Sequence, residues 1–174
     1  MVPLISMMIV LVGFMGCGKT VVGRALSRRL AMPFIDLDAS LVKRFGVSIS
    51  EIFSRFGEPA FRAEESRLLK RALGSGPGVI ATGGGAFCRV ENRAAIASSG
   101  AVTVFLDVPW TVLVSRVAHE AADRPKFIDV THAEQLFRER YPQYLEASLH
   151  LRLTGRESPA EVAARIEQRL AAVA

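Results

Sequence analysis

Residues 13–20 read GFMGCGKT and follow MMIVLV (7–12), an apolar run with the length of a buried strand. The octapeptide matches G-x-x-x-x-G-K-S/T at each fixed position, and a strand that runs into a glycine loop gives that pattern its physical meaning. Consecutive backbone N–H groups and the N-terminus of the following helix face phosphate oxygens, Lys19 adds a point charge, and Thr20 offers a hydroxyl to Mg²⁺. Gly13, Gly16, Cys17 and Gly18, with Lys19 and Thr20, are therefore the candidate nucleotide-binding residues. The loop predicts a nucleoside triphosphate; it does not name the group that receives a phosphoryl.

Outward from the loop, strand-like runs alternate with helical patterns. VVGRALSRRL (21–30) places Val22, Leu26 and Leu30 at i, i+4 and i+8; PFIDLD (33–38) is followed by helical stretches through about Leu73. GVIAT (78–82) precedes a helix near Val90 to Ala97, AVTVFLD (101–107) a helix from about Trp110 and another from Ala133 to Leu145. LHLRL (149–153) precedes a last helix opened by ESPAEVAARI (157–166). Five strands separated by helices predict an α/β fold in three layers, a five-stranded parallel sheet flanked by helices. Ligands in such sheets sit at the carboxyl ends of the strands. AHEAADRPKF (118–127), polar and carrying Pro125, interrupts two helical patterns and suits a mobile lid or a plain surface loop equally well.

A chain of 174 residues, half of them hydrophobic and 22% charged, fits one domain over 1–174 and excludes disorder. Met1 to Met15 is apolar but has no Lys or Arg at its start and is shorter than the roughly 20 residues that span a bilayer, so no membrane association is expected. Cys17 and Cys88 make neither a disulfide framework nor a metal-ligand spacing, which fits a cytoplasmic protein. The net charge is +5, and 18 of the 22 basic residues are arginines, which implies anionic partners. Basic clusters interleaved with aromatic residues are missing, so small anions are expected and nucleic acid is not. The guanine motif N-K-x-D does not occur, which disfavours a GTPase.

Other candidates lie at strand ends. Asp36 and Asp38 fall on one side of the second strand if it stays extended, where one carboxylate can hold a metal-bound water and the other act on an acceptor hydroxyl. Asp38 also suits a helix cap ahead of a helix starting near Ser40. Gly83, Gly84 and Gly85 let backbone approach a ligand, or form a loose turn. Asp107 is a minor metal-ligand candidate at the end of VTVFLD. Arg62 reads equally as a functional residue or as a partner of Glu65. Arg140 sits in an inward row with Leu136 and Tyr144 and so needs an anionic partner, whereas Arg138 pairs with Glu134 at the surface. His119, His132 and His150 show no ligand spacing.

GFMGCGKTVVGRALSRRL, FIDLD, SISEIFSRFGEPAFRAEE, VIATGGG, DRP and RERYPQY, in that order, make the chain resemble the shikimate kinase family nearly end to end. The resemblance implies a P-loop, nucleoside monophosphate kinase-like fold with a lid at about 118–128, and transfer of the γ-phosphoryl of ATP to the 3-hydroxyl of shikimate. It implies that Lys19 contacts the β/γ-phosphates, that Thr20 and Asp36 hold Mg²⁺, and that Asp38 positions and deprotonates the acceptor. Arg62 and Arg140 would grip shikimate's carboxylate, with the backbone at Gly83 to Gly85 on its hydroxyls, while Arg124 would reach the transferring phosphate. Arg116, Arg156 and Pro159 would flank adenine. The chain departs from the family pattern at Lys126 and at Glu157, where a basic residue often stands. A gluconate or aminoshikimate kinase, or a noncatalytic nucleotide-binding module, are the competing readings; a monomer acting on small molecules is expected.

Overall fold

The computed structural model describes residues 6–120 and 130–172. Five parallel strands stand in the order β2-β3-β1-β4-β5: β1 (Met8–Val12), β2 (Phe34–Asp36), β3 (Gly78–Ala81), β4 (Val102–Asp107) and β5 (Leu149–Arg152). All five residues of β1 are buried, and so are all four of β3, because helices cover both faces and leave no polar side to alternate with. Leu11 lies opposite Ala81 on one side and Val104 on the other, so the carboxyl ends of the inner strands line up. The chain leaves β1 between strands reached in opposite directions, the place where ligands bind in sheets of this kind.

Among the described residues, seven helices flank the sheet. They are α1 (Lys19–Leu30), α2 (Leu37–Phe45), α3 (Ile49–Leu73), α4 (Val90–Ser98), α5 (Trp110–Glu120), α6 (Val130–Tyr144) and α7 (Pro159–Ala171), with a short 3₁₀ turn at Ala86–Cys88. The expected row Val22, Leu26 and Leu30 is buried on α1. Capping boxes start α3 (Ser48 with Glu51) and α7 (Ser158 with Glu161), each satisfying two N–H groups that a helix start leaves open. α3 is broken at Gly57, whose backbone leaves the helical region two residues before Pro59. Most of the apolar residues form one core around the sheet, while Leu41, Ile52 and Phe61 form a second, smaller cluster between α2 and α3.

Two expectations are corrected. The strand carrying Asp36 does not extend to Asp38: Asp36 Oδ1 accepts the Ala39 N–H at 3.1 Å, so Asp36 is the helix cap and Asp38 falls in the first turn of α2. α5 runs on to Glu120, so its last turn takes in the first residues of the expected lid. The rest of that segment, with Arg124, lies outside the described residues.

Candidate active site

A cleft of about 1190 Å³ opens along the carboxyl ends of the strands, with the glycine loop as its floor. α1 starts without a side-chain cap, which leaves its first N–H groups to a ligand. Lys19 is buried, and its Nζ donates to the carbonyls of Gly13 (2.8 Å) and Phe14 (2.9 Å). Gly13 lies beneath the loop, whereas Gly16, Cys17, Gly18, Lys19 and Thr20 line the cleft.

Beside the loop, the Thr20 hydroxyl donates to Asp36 Oδ2 at 2.6 Å. A hydroxyl and a carboxylate next to a phosphate loop are hard oxygen donors, and they fit Mg²⁺, which takes one or two carboxylates and fills its shell with phosphate oxygens and waters. Asp107 is elsewhere. Its Oδ2 accepts the Tyr141 hydroxyl at 3.0 Å and lies 2.6 Å from His150 Nε2, so it ties α6 to the sheet and does not line the cleft. His150, to which spacing gave no role, is its partner.

On one side of the loop stand Asp38, Arg62, Glu65, Gly83, Gly84, Gly85 and Arg140. Arg62 lines the cleft, and it has the partner that its spacing allowed: it donates from Nη1 to Glu65 Oε2 (2.8 Å) and from Nε to Glu58 Oε1 (3.2 Å). Burial works against the Arg62 charge, but the Glu65 and Glu58 carboxylates outweigh it and hold its pKa above the ordinary value. Glu65 is fully buried, and burial pushes its carboxyl above the usual range; nearby Asp38 pushes the same way, against the pull of Arg62. Its Oε1 has no hydrogen-bond partner among the described residues. Sequence reasoning saw Glu65 only as a partner for Arg62, although its place one helical turn along pointed to the same wall.

The glycines of this wall make room for those charges. A methyl on Gly83 would come within 2.6 Å of Glu65 Oε1 and 3.0 Å of Asp38 Oδ1, and one on Gly85 within 2.7 Å of Arg62 Nη2. The row on α6 is as expected. Tyr144 is buried and donates to the Gly84 carbonyl at 2.5 Å, while Leu136 and Arg140 line the cleft. Arg140 has no hydrogen bond or ion pair among the described residues, and Arg138 bonds Glu134 as predicted. A half-buried cation without such a pairing can take an anion from outside.

On the other side of the loop the lining is more apolar, with Val108, Leu153, Pro159 and Val162 around Arg116. Arg116 donates from Nη1 to the Gly16 carbonyl (3.1 Å) and from Nη2 to the Gly155 carbonyl (2.6 Å). Pro159 begins α7 and faces the cleft; Arg156 is exposed and is not part of the lining, whereas Glu157 is.

A parallel sheet with a phosphate loop at its centre, a hard-donor pair beside that loop and an anion-seeking wall opposite an apolar slot together define a P-loop phosphotransferase acting on a small molecule. A family model described as "Shikimate kinase" matches residues 15–171. The chain belongs to the shikimate kinase family. It is 42% identical over 166 residues to a shikimate kinase from Ruegeria pomeroyi, covering 94% of this chain and 84% of the relative. It is 45% identical over 152 residues to one from Caulobacter vibrioides, covering 86% and 75%. In three dimensions it is similar to the shikimate kinase from Acinetobacter baumannii in complex with shikimate, with a TM-score of 0.88, 31% identity and coverage of 95% and 93%. The chain is thus an ATP-dependent enzyme that phosphorylates an alcohol group of shikimate.

Proposed function

We infer that the two sides of the cleft divide the reaction between them. ATP lies over the 13–20 loop with its base toward Arg116 and Pro159, and shikimate lies against Asp38, Arg62, Arg140 and the backbone of Gly83 to Gly85. The 3-hydroxyl oxygen forms the new bond to the γ-phosphorus, the bond from that phosphorus to the β,γ-bridging oxygen breaks, and ADP carries the electron pair away. The hydroxyl proton passes to Asp38, placed by the first turn of α2 beside the glycine wall. Lys19 moves from the carbonyls of its own loop to the phosphates. Thr20, and Asp36 through water, would hold Mg²⁺, which would supply charge neutralisation at the phosphates. Arg124 is assigned to the γ-phosphoryl from the family pattern alone. The observation that carries the acceptor assignment is Arg140, an inward cation with no partner among the described residues, in the same wall as Asp38: a carboxylate and a hydroxyl on one small molecule meet both.

Residues 1–174 form, in this reading, one kinase domain working as a monomer in the cytoplasm; no helix of the described residues is long and apolar enough to cross a membrane. Asp38→Asn keeps shape but removes basicity, so kcat should fall by about 10²- to 10⁴-fold with ADP affinity kept. Asp36→Asn should instead raise the Mg²⁺ concentration needed for half-maximal rate. Identical Mg²⁺ titrations for the two variants would refute the division of roles.

A further inference from the structure

Between β5 and α7 the chain turns through residues 153–158 at the apolar end of the cleft. Backbone N–H groups in such a turn have no partner in sheet or helix. Here one carboxylate collects them. Glu157 accepts the Thr154 N–H at 2.9 Å (Oε1) and 3.1 Å (Oε2), the Gly155 N–H at 2.9 Å and the Thr154 hydroxyl at 3.0 Å. Arg165 of α7 adds an ion pair at 3.3 Å, and its other nitrogen donates to the Arg152 carbonyl at 2.9 Å, so the carboxylate is joined to both elements that the turn connects. Burial opposes the charge, but the Thr154 and Gly155 hydrogen bonds bring the Glu157 carboxyl down to about 2.

The turn held in this way presents the Gly155 carbonyl to Arg116, and Arg116 reaches on to Gly16 in the phosphate loop. Glu157, Gly155, Arg116 and Gly16 therefore form a continuous hydrogen-bonded strut across the nucleotide end of the cleft. Gly155 has φ +84°, and a methyl there would come within 2.6 Å of Val112 Cγ1 on α5, so the turn is pressed against its neighbour. A guanidinium fixed at both ends has lost its rotamer freedom before a ligand arrives, which lowers the ordering cost of binding.

We propose that Glu157 is a positioning residue for the nucleotide: acting through Gly155, it fixes Arg116 in place and so sets the affinity for ATP and ADP without acting on the acceptor side. The proposal rests on the assignment of the base to this end of the cleft. It is tested by calorimetric titration with ADP and by the KM values for ATP and shikimate, in Arg116→Ala, Glu157→Ala, Glu157→Gln and the Arg116→Ala/Glu157→Ala pair. Arg116→Ala should weaken ADP by about tenfold, and Glu157→Ala by about 3- to 10-fold with a matching rise in the ATP KM. The shikimate KM should stay within about twofold, and the double variant should bind ADP no more weakly than Arg116→Ala alone, because effects carried through one residue do not add. Glu157→Gln, which keeps one acceptor oxygen, should recover part of the loss; it also carries the comparison if Glu157→Ala does not fold.

Three results would overturn the proposal while leaving the base assignment intact: Arg116→Ala weakens ADP but Glu157→Ala does not, the two effects add in full, or the ATP and shikimate KM values rise together in Glu157→Ala. Unchanged ADP binding in both single variants would instead overturn the assignment of the base, and the proposal with it.

Discussion

At the nucleotide end of the cleft, Lys19 and Arg116 donate to backbone carbonyls and Glu157 accepts from backbone N–H groups. At the acceptor end, Arg62 pairs side chain to side chain with Glu65 and Glu58, and Arg140 has no hydrogen bond or ion pair among the described residues. Backbone partners are fixed by the fold, so Arg116 and Glu157 are held in place before any ligand enters, and only Lys19 has to change its partners. Side-chain partners can be exchanged. Glu58 is 64% exposed, and an ion pair to so wet a carboxylate contributes only about 0–1 kcal/mol, so a substrate carboxylate can replace it on Arg62 at little cost. The donor side is preformed, and the acceptor side is provisional until its anion arrives.

Removing the unpaired cation strikes this contrast hardest. Arg140→Ala should lower kcat/KM for shikimate by about 10- to 150-fold, the equivalent of about 1.5–3 kcal/mol for a charge-assisted bond, with the ATP KM unchanged. Arg140→Lys should restore only part, because an ammonium cannot make the paired contact of a guanidinium. Steady-state kinetics with each substrate varied in turn decide this; an unaffected shikimate KM in a folded variant would remove Arg140 from the acceptor site.

A paired glycine experiment makes the contrast sharper with smaller effects. Gly85→Ala places its methyl against the far end of the Arg62 side chain, which can swing aside, so it should keep the fold but raise the shikimate KM about as truncating Arg62 does. Gly155→Ala puts a methyl against Val112 in a left-handed backbone position, so it should act on the ATP KM instead and cost roughly 1 kcal/mol or more of stability. If both variants raise the same KM, the two sides are not independent. The smallest effect is expected from Glu65→Gln, read by thermal unfolding across pH. Burial raises the Glu65 carboxyl, so the folded protein keeps a proton there at a pH where the unfolded chain has lost it. Wild-type stability is then lost as pH rises from the ordinary glutamate value through the raised one, and the Gln variant escapes that loss. The gap in Tm in favour of Gln should open as pH rises; a gap that is flat with pH would show that folding does not raise the Glu65 carboxyl.

The same contrast explains what the sequence made legible. The phosphate loop is contiguous and its chemistry is mostly backbone, so GFMGCGKT after an apolar run was enough to place the site and the central strand. The row Leu136, Arg140, Tyr144 was legible because helical spacing put a charge where apolar residues belong. The acceptor wall draws on α2, α3, α6 and the turn after β3, and no local pattern announces that Glu65 and Asp38 face each other across Gly83. The Asp36 and Asp38 geometry was misjudged because a single side-chain bond to the Ala39 N–H turned a strand into a helix two residues early. Glu157 showed only as a departure from a family pattern; its four contacts to Thr154 and Gly155 depend on a turn that sequence cannot draw.

The small cluster of Leu41, Ile52 and Phe61 has a consequence for how the molecule comes apart. α2 and α3 meet on it, Leu68 packs against both cores, and Leu37 of α2 lies in the main one, while the break at Gly57 falls between Ile52 and Phe61 of the small cluster. Cooperativity follows contiguous packing, so the small cluster is the unit expected to open before β1, β3 and β4, which native-state hydrogen exchange would read. Asp38 rides on that unit and Lys19 does not. If shikimate joins Asp38 to Arg140 across the cleft as proposed, it should slow the opening of that unit, read as slower hydrogen exchange in α2.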